Sequence, residues 1–229
     1  LSFKILDKNT NFDKNSFMAR RKVISDRKER IIEAADRLFN HYGWEKTTMG
    51  DISQEAGIPR ATVYLEFPGG KEDILMASIE RYLKQLLHNM KELARQSRVG
   101  RMETLKQVIL YNILANHDRT EGFQYSPPSL EKYTKRVRIE MESFFQARRE
   151  FFSELLHQAA LGGEIPPHYE YERIARILEY GFPSFMPPLS GRILSREILE
   201  QDALAFFNLL LSGLSKAPGS MATKALSIN

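Results

Sequence analysis

Arg60, Thr62, Tyr64 and Lys71 are the residues of this chain whose types and spacing carry the most specific chemistry. A guanidinium such as that of Arg60 can donate two hydrogen bonds to a guanine edge or bind a phosphate. The hydroxyls of Thr62 and Tyr64 suit phosphate oxygens, and Ala61 and Leu65 can pack on thymine methyl groups. All lie on or beside one short segment, Pro59 to Glu66, in which Val63 would face inward. Lys71 follows at the head of the next apolar stretch, where the free N–H groups of a helix start favour an anion. The pattern points to double-stranded DNA.

A helix of eight residues needs other elements to hold it. Ile31, Ala35, Leu38, Phe39 and Tyr42 fall at i, i+4, i+7, i+8 and beyond, predicting an amphipathic helix over 26–42. Asp26 and Glu29 have cap spacing at its start, and Gly43 stops it. Thr48 and Asp51 have the spacing of a capping box that opens a second helix, with Met49 and Gly50 in its first turn and Gly57 at its end. Pro59 is tolerated in the first turn of the third. Two short helices joined by a tight break make a helix-turn-helix, in which the second enters the major groove and the first braces it against the DNA backbone.

The remaining periodicity predicts helices over 71–95, 102–116 and 129–161, the last bent early and closed by Gly162-Gly163. Two further apolar segments cover 169–185 and 197–214, the former bent or ended near Gly181 and Pro183. No strand pattern or repeat is visible, so the expected fold is all-α: a three-helix DNA-binding head and a helical ligand-binding and dimerisation body, about nine helices in all. The expected organisation is a flexible basic arm over 1–24, the helix-turn-helix domain over 25–75, the body over 76–214 and a loose tail over 215–229. Arg20, Arg21, Lys22, Arg27 and Lys28 either sit on phosphates or in a minor groove, or form a solvated basic tail. Met18-Ala19-Arg20 would make a natural translation start, so residues 1–17 are expected to be upstream extension.

Composition sets outer bounds. The 229 residues are 42% hydrophobic, enough for a sizeable core. Cys is absent, which excludes disulfides, thiolate metal sites and a Cys nucleophile. No apolar run reaches the ~20 residues of a membrane span, and no secretory signal is visible, so a cytoplasmic protein is expected. The net charge of +4 is modest, so the distribution of charge carries the argument for nucleic acid.

Across Arg30–Leu75 the chain resembles the DNA-binding domain of the tetracycline-repressor (TetR) family of transcriptional regulators. The resemblance rests on Ala34-Ala35, Leu38-Phe39, Gly43, Thr47-Thr48, Asp51-Ile52, Ala56-Gly57, Thr62, Tyr64, Phe67 and Lys71, in order and at the family's spacing. It implies an all-helical homodimer with an effector pocket in the body, and contacts to DNA from Thr48, Arg60, Thr62, Tyr64 and Lys71. Met49 and Gly50 would lie near the DNA backbone. Gly50, Pro59, Glu66 and the lengthened Pro68-Gly69-Gly70 turn depart from the usual pattern, which bears on the operator sequence. Pro59 gives up a side-chain cap, and an acid at Glu66 would repel phosphate.

In the body, Tyr111, Phe144, Phe151, Tyr180, Phe182 and Phe185 are the expected lining of an apolar pocket, although aromatics at helical spacing also serve as plain core. The last two segments are apolar nearly all round, as a helix covered by a partner subunit would be. Ile177, Leu178, Leu204, Phe207 and Leu211 are the expected interface.

Enzyme readings are weaker. Glu154-x-x-His157 has di-iron spacing but no second such pair. Gly69-Gly70-Lys71 is similar to a phosphate loop, but Leu65 stands where its first Gly is needed and Glu72 where Ser or Thr is. The five His show no metal or triad spacing. The expectation is therefore a regulator and not an enzyme, with no cofactor or metal, most simply a repressor released from a near-palindromic operator by a small, largely apolar effector. An activator or ligand-dependent repressor of the same fold is the alternative; a helical enzyme or structural interaction domain is the alternative from another class.

Overall fold

The computed structural model describes residues 14–120, 139, 141–185 and 194–215. Among these residues every regular element is helical, with eight α-helices and one 3₁₀ turn. They divide into two compact units, one made of residues up to Tyr42 together with Lys46–Ser78, the other of Gly43–Glu45 and the residues from Ile79 onward.

The N-terminal unit contains α1 (Lys14–Tyr42), α2 (Met49–Ala56), α3 (Arg60–Glu66) and the head of α4 (Lys71–Gln96). Ile31, Ala35 and Phe39 of α1, Ile52 of α2, Val63 of α3 and Ile74 of α4 are all fully buried. These six side chains explain why helices of eight and seven residues persist: elements this short are marginal in isolation and are held by packing. Ser78 of α4 is hydrogen-bonded to Asp36 of α1. α1 starts twelve residues earlier than the Asp26 cap predicts. Met18 to Lys22 are strong helix formers, and no Gly or Pro interrupts 14–26, so nothing stops the helix at the cap-like residue. The expected flexible arm is therefore helical from residue 14.

The second unit contains the rest of α4, α5 (Arg101–Thr120), α6 (Glu142–Leu161), α7 (Tyr171–Gly181), a 3₁₀ turn (Phe182–Phe185) and α8 (Arg196–Ser215). α5 packs against both α6 and α8, and α6 against α7. The Glu164 carboxylate, beyond the Gly162-Gly163 stop, accepts from the Arg101 and Met102 N–H groups at 2.6 and 3.0 Å and so caps α5 from a distant part of the chain. The predicted break near Gly181 is present, and the chain continues as the 3₁₀ turn through Pro183. The predicted early part of the 129–161 helix, the loops with Pro127-Pro128 and Pro187-Pro188, and the tail from 216 lie outside the described residues.

One charge pair is built into this core. Arg148 of α6 is buried against Phe182, with its guanidinium 4.6 Å from the ring centroid, and it meets Glu179 of α7 at 3.1 Å. Arg149 bridges Glu179 and Glu142. Burial pulls the Arg148 pKa down, and Glu179 opposes that shift. Removing Glu179 alone strands a buried cation, so Glu179→Leu should cost about 3–5 kcal/mol, while Arg148→Met with Glu179→Leu should recover most of it. Urea midpoints of the single and double variants check this.

Candidate nucleic-acid interface

The local sequence builds the turn between α2 and α3 in three steps. Thr48 caps α2: its Oγ1 accepts from the Asp51 N–H at 3.2 Å, and the Asp51 carboxylate accepts from both the Thr48 N–H and its hydroxyl at 2.8 Å. These bonds hold the Asp51 carboxyl below its ordinary pKa, the hydroxyl of Thr48 contributing most and its N–H next. Gly57 then ends α2 in the left-handed region at φ 62°, ψ 38°, where its N–H reaches the Gln54 carbonyl at 3.1 Å. Arg30 of α1 donates to the Ala56 carbonyl at 2.7 Å, and Ser53 Oγ donates to that of Ile58 at 2.7 Å. Pro59 opens α3 without a side-chain cap, as its type predicts; its carbonyl accepts from the Thr62 and Val63 N–H groups.

With the turn fixed, α3 buries Val63 and shows its other faces. Arg60, Ala61, Tyr64 and Leu65 are exposed, Leu65 at 80%, and Thr62 is half-buried. The Arg60 guanidinium stands 5.7 Å from the Tyr64 ring centroid, which steadies a long side chain over an aromatic face. Beside the start of α3 lies a surface groove of about 440 Å³ lined by Asp26, Arg27, Arg30, Ile58, Pro59 and Thr62.

Other predicted contact residues are placed differently. Met49 is buried, because the first turn of α2 directs it into the core, so it has no side chain to offer DNA. The Thr48 hydroxyl is engaged in its cap. Gly50 is half-buried with room for a side chain: an added Cβ would meet Thr48 Oγ1 at an ordinary 3.4 Å. Lys71 turns its Nζ onto the Thr47 carbonyl at 2.8 Å and so ties the head of α4 to the loop before α2. The start of α4 is itself served by Asp73, which accepts from the Gly69 N–H at 2.6 Å.

Glu66 is not a bare acid facing phosphate, as its type alone predicts. It forms a 3.0 Å ion pair with Arg27 of α1 and is largely buried. Arg27 is correspondingly a partner of α3 more than a free basic contact, and Lys28 lies 5.8 Å from the Phe67 ring. The signal that could have found the pair was the opposite charge of two residues thirty-nine positions apart, which local spacing does not reveal.

In the second unit, the predicted pocket aromatics are not gathered round one opening. Phe182 stacks on Phe152 at 6.0 Å and meets Phe207 at 5.7 Å, while Phe185 packs on Phe206 and Phe207. Phe144 is buried beside Arg148, Phe151 is half-buried, and Tyr180 is 70% exposed. Tyr111 accepts from Asn89 at 2.9 Å on the α4–α5 seam. Phe182 and Phe185 thus pack against other rings of the core, while Tyr111 and Tyr180 lie apart from that cluster. Of the predicted interface, Ile177 and Leu204 are exposed, but Leu178, Phe207 and Leu211 are buried in their own subunit. A helix apolar on several sides does not declare which stripe faces inward.

Comparison with known proteins agrees with this geometry. Residues 31–77 match the model of the bacterial regulatory proteins of the tetR family. The chain is 31% identical over 86 residues to the HTH-type transcriptional regulator LmrA of Bacillus subtilis, covering 36% of this chain and 46% of LmrA. The chain thus spans between about a quarter and a half of the length of the relatives it matches in sequence. Its fold is similar to that of a transcriptional regulator from Cytophaga hutchinsonii (TM-score 0.66, 20% identity, 82% of this chain and 98% of that one). It is also similar to the FadR regulator of Bacillus subtilis in complex with stearoyl-CoA (TM-score 0.54, 19% identity, 82% and 97%). Among the described residues, no helix is long and apolar enough to cross a membrane.

The Thr48–Asp51 box makes stability pH-dependent in a defined sense. A carboxyl with a depressed folded pKa stabilises above its unfolded pKa, and that contribution is lost as pH falls through the folded value. The difference in melting temperature between the parent and Asp51→Asn should therefore be largest at neutral pH and shrink in acid, as thermal scans across pH would read.

Proposed function

We propose that this chain, whose residues 31–77 match the model of the bacterial regulatory proteins of the tetR family, is a cytoplasmic, non-enzymatic transcriptional regulator that binds a near-palindromic operator as a homodimer and is released by a small, largely apolar effector. The observation that carries the reading is the exposed face of α3, with Arg60 poised over Tyr64 while Val63 and the pinned Gly57 turn fix the helix behind it. A helix that merely packed in a bundle would have no reason to leave Arg60, Ala61, Tyr64 and Leu65 uncovered.

In this reading Arg60 reads a base edge or grips phosphate, Tyr64 and Thr62 supply hydroxyls, and Leu65 and Ala61 give apolar contact. Lys71 acts by holding the loop before α2, and Glu66 acts through Arg27. Dimerisation would use the exposed apolar side chains of the last two helices, Ile177 and Tyr180 on α7 with Leu204 and Leu209 on α8. Two heads about 34–36 Å apart would meet two half-sites in successive major grooves. Repression in the ligand-free state follows if those heads are held at operator spacing; an effector in the body that shifted α4 would change that spacing, a coupling of about 1–3 kcal/mol. FadR, of the same fold, was solved with an acyl-CoA, which supports an effector with a substantial apolar part.

Selection of bound DNA from a random pool should return a near-palindrome. On that site, Arg60→Ala and Tyr64→Ala should each weaken binding by roughly 1–3 kcal/mol in gel retardation. Unchanged binding in both would remove α3 as the reading element. Light scattering at micromolar concentration should give a dimer, and a monomer would remove the two-headed model.

A further inference from the structure

The helix at the centre of the body, α5, carries a buried polar stripe: Asn112 is fully buried and Asn116 nearly so. Asn116 donates from Nδ2 to the Asn112 carbonyl at 2.6 Å and to Asn112 Oδ1 at 2.8 Å. These two bonds fix both amides. A backbone carbonyl only accepts, so Asn116 must present its NH₂ there; Asn112 must then present its oxygen, since turning its amide would set two donors face to face. The Asn112 NH₂ is directed elsewhere, and it has no hydrogen-bond partner among the described residues.

Tyr82 of α4 is in the same position. Its hydroxyl is buried and has no partner among the described residues, while Arg119 of α5 lies 4.4 Å from its ring centroid. Burial pushes the phenol pKa well above its usual value against the pull of Arg119, so Tyr82 stays neutral and able to donate. Asn89 and Tyr111 join α4 to α5 at one level, and Tyr82 with Arg119 joins them about two turns further along. Asn112 falls within that interval of α5.

An unmet buried donor destabilises a fold, and an apolar residue of similar size would not. Two such donors in one helical unit need a use. We propose that Asn112 Nδ2 and Tyr82 Oη are the polar anchors of the body's effector site, and that the effector is an apolar molecule bearing a neutral carbonyl oxygen. Few polar groups in apolar surroundings are the usual means of orienting a small ligand. A neutral acceptor fits both anchors, which are themselves neutral donors, because an ion buried against them would give up its hydration for two neutral hydrogen bonds. Both anchors are closed over in this structure, so the ligand enters by displacing the side chains that cover them. The inference rests on the body being the effector-binding unit.

The test uses the full chain without DNA, so that its outcome is separate from operator binding or release. Acetophenone, ethylbenzene and phenylacetate share a ring and differ in the acceptor, and all are small enough to probe a narrow site. Titration by calorimetry, with melting temperature as a second readout, should show acetophenone binding about tenfold more tightly than ethylbenzene. Asn112→Leu should erase that preference, and Tyr82→Phe should reduce it. Binding by none of the probes, equal binding of acetophenone and ethylbenzene, or tighter binding of phenylacetate would each overturn the proposal. So would an Asn112→Leu protein that melts lower yet keeps the preference, since the amide would then be a structural group. If acetophenone binds as predicted but never affects retardation of the selected DNA, the anchor assignment stands and the regulatory reading falls.

Discussion

The left-handed turn at Gly57 sets the direction in which α3 leaves α2, and what the N-terminal unit can offer DNA depends on that direction. A side chain at this position would meet both an unfavourable φ and the Arg30 guanidinium at 3.3 Å. Arg30 reaches across from α1 to the Ala56 carbonyl, so a group left open by the end of one helix is satisfied by another. Val63 is buried and Arg60 and Tyr64 are outward as a geometric consequence of that turn. The short helices contribute little stability of their own; the turn and the core behind it make α3 a rigid surface.

What could be read in advance divides by the range of the interaction. The Thr48–Asp51 box, the Gly57 stop and the breaks near Gly162 and Gly181 are local, and each is present where its residues predict it. The α1 start was not legible, because Asp26 has the type of a cap but no neighbouring residue that ends a helix. Arg27 with Glu66, Arg30 with Ala56 and Glu164 with the α5 start are pairings across tens of residues, and no spacing rule reaches them. Met49 shows a smaller failure of the same kind: its place in the first turn of α2 was legible, and the direction of its side chain was not.

In the body the limit was different. Phenylalanines on α6, the 3₁₀ turn and α8 were visible as an apolar group, but composition does not distinguish rings that stack on one another from rings that surround a space. Phe152, Phe182, Phe185 and Phe207 are in contact with one another, Phe152 and Phe182 stacked and the others tilted. The informative residues are instead the polar ones where apolar residues would pack more simply, Arg148 with Glu179 and Asn112 with Asn116. Nothing in the hydrophobic pattern had marked them.

The Arg27–Glu66 pair has a consequence for how this interface can change over generations. Glu66 sits at the end of α3, and if that helix reads DNA as proposed, the acid is tolerable beside phosphate because a cation on α1 neutralises it. The two positions are therefore epistatic: the effect of a substitution at either depends on which residue holds the other. On that proposal, losing Arg27 first would leave a bare acid at the DNA surface, whereas losing Glu66 first would free a cation to move to phosphate. One order passes through a weakened binder and the other through a stickier, less discriminating one, so the route by which this protein could acquire a new operator is directional.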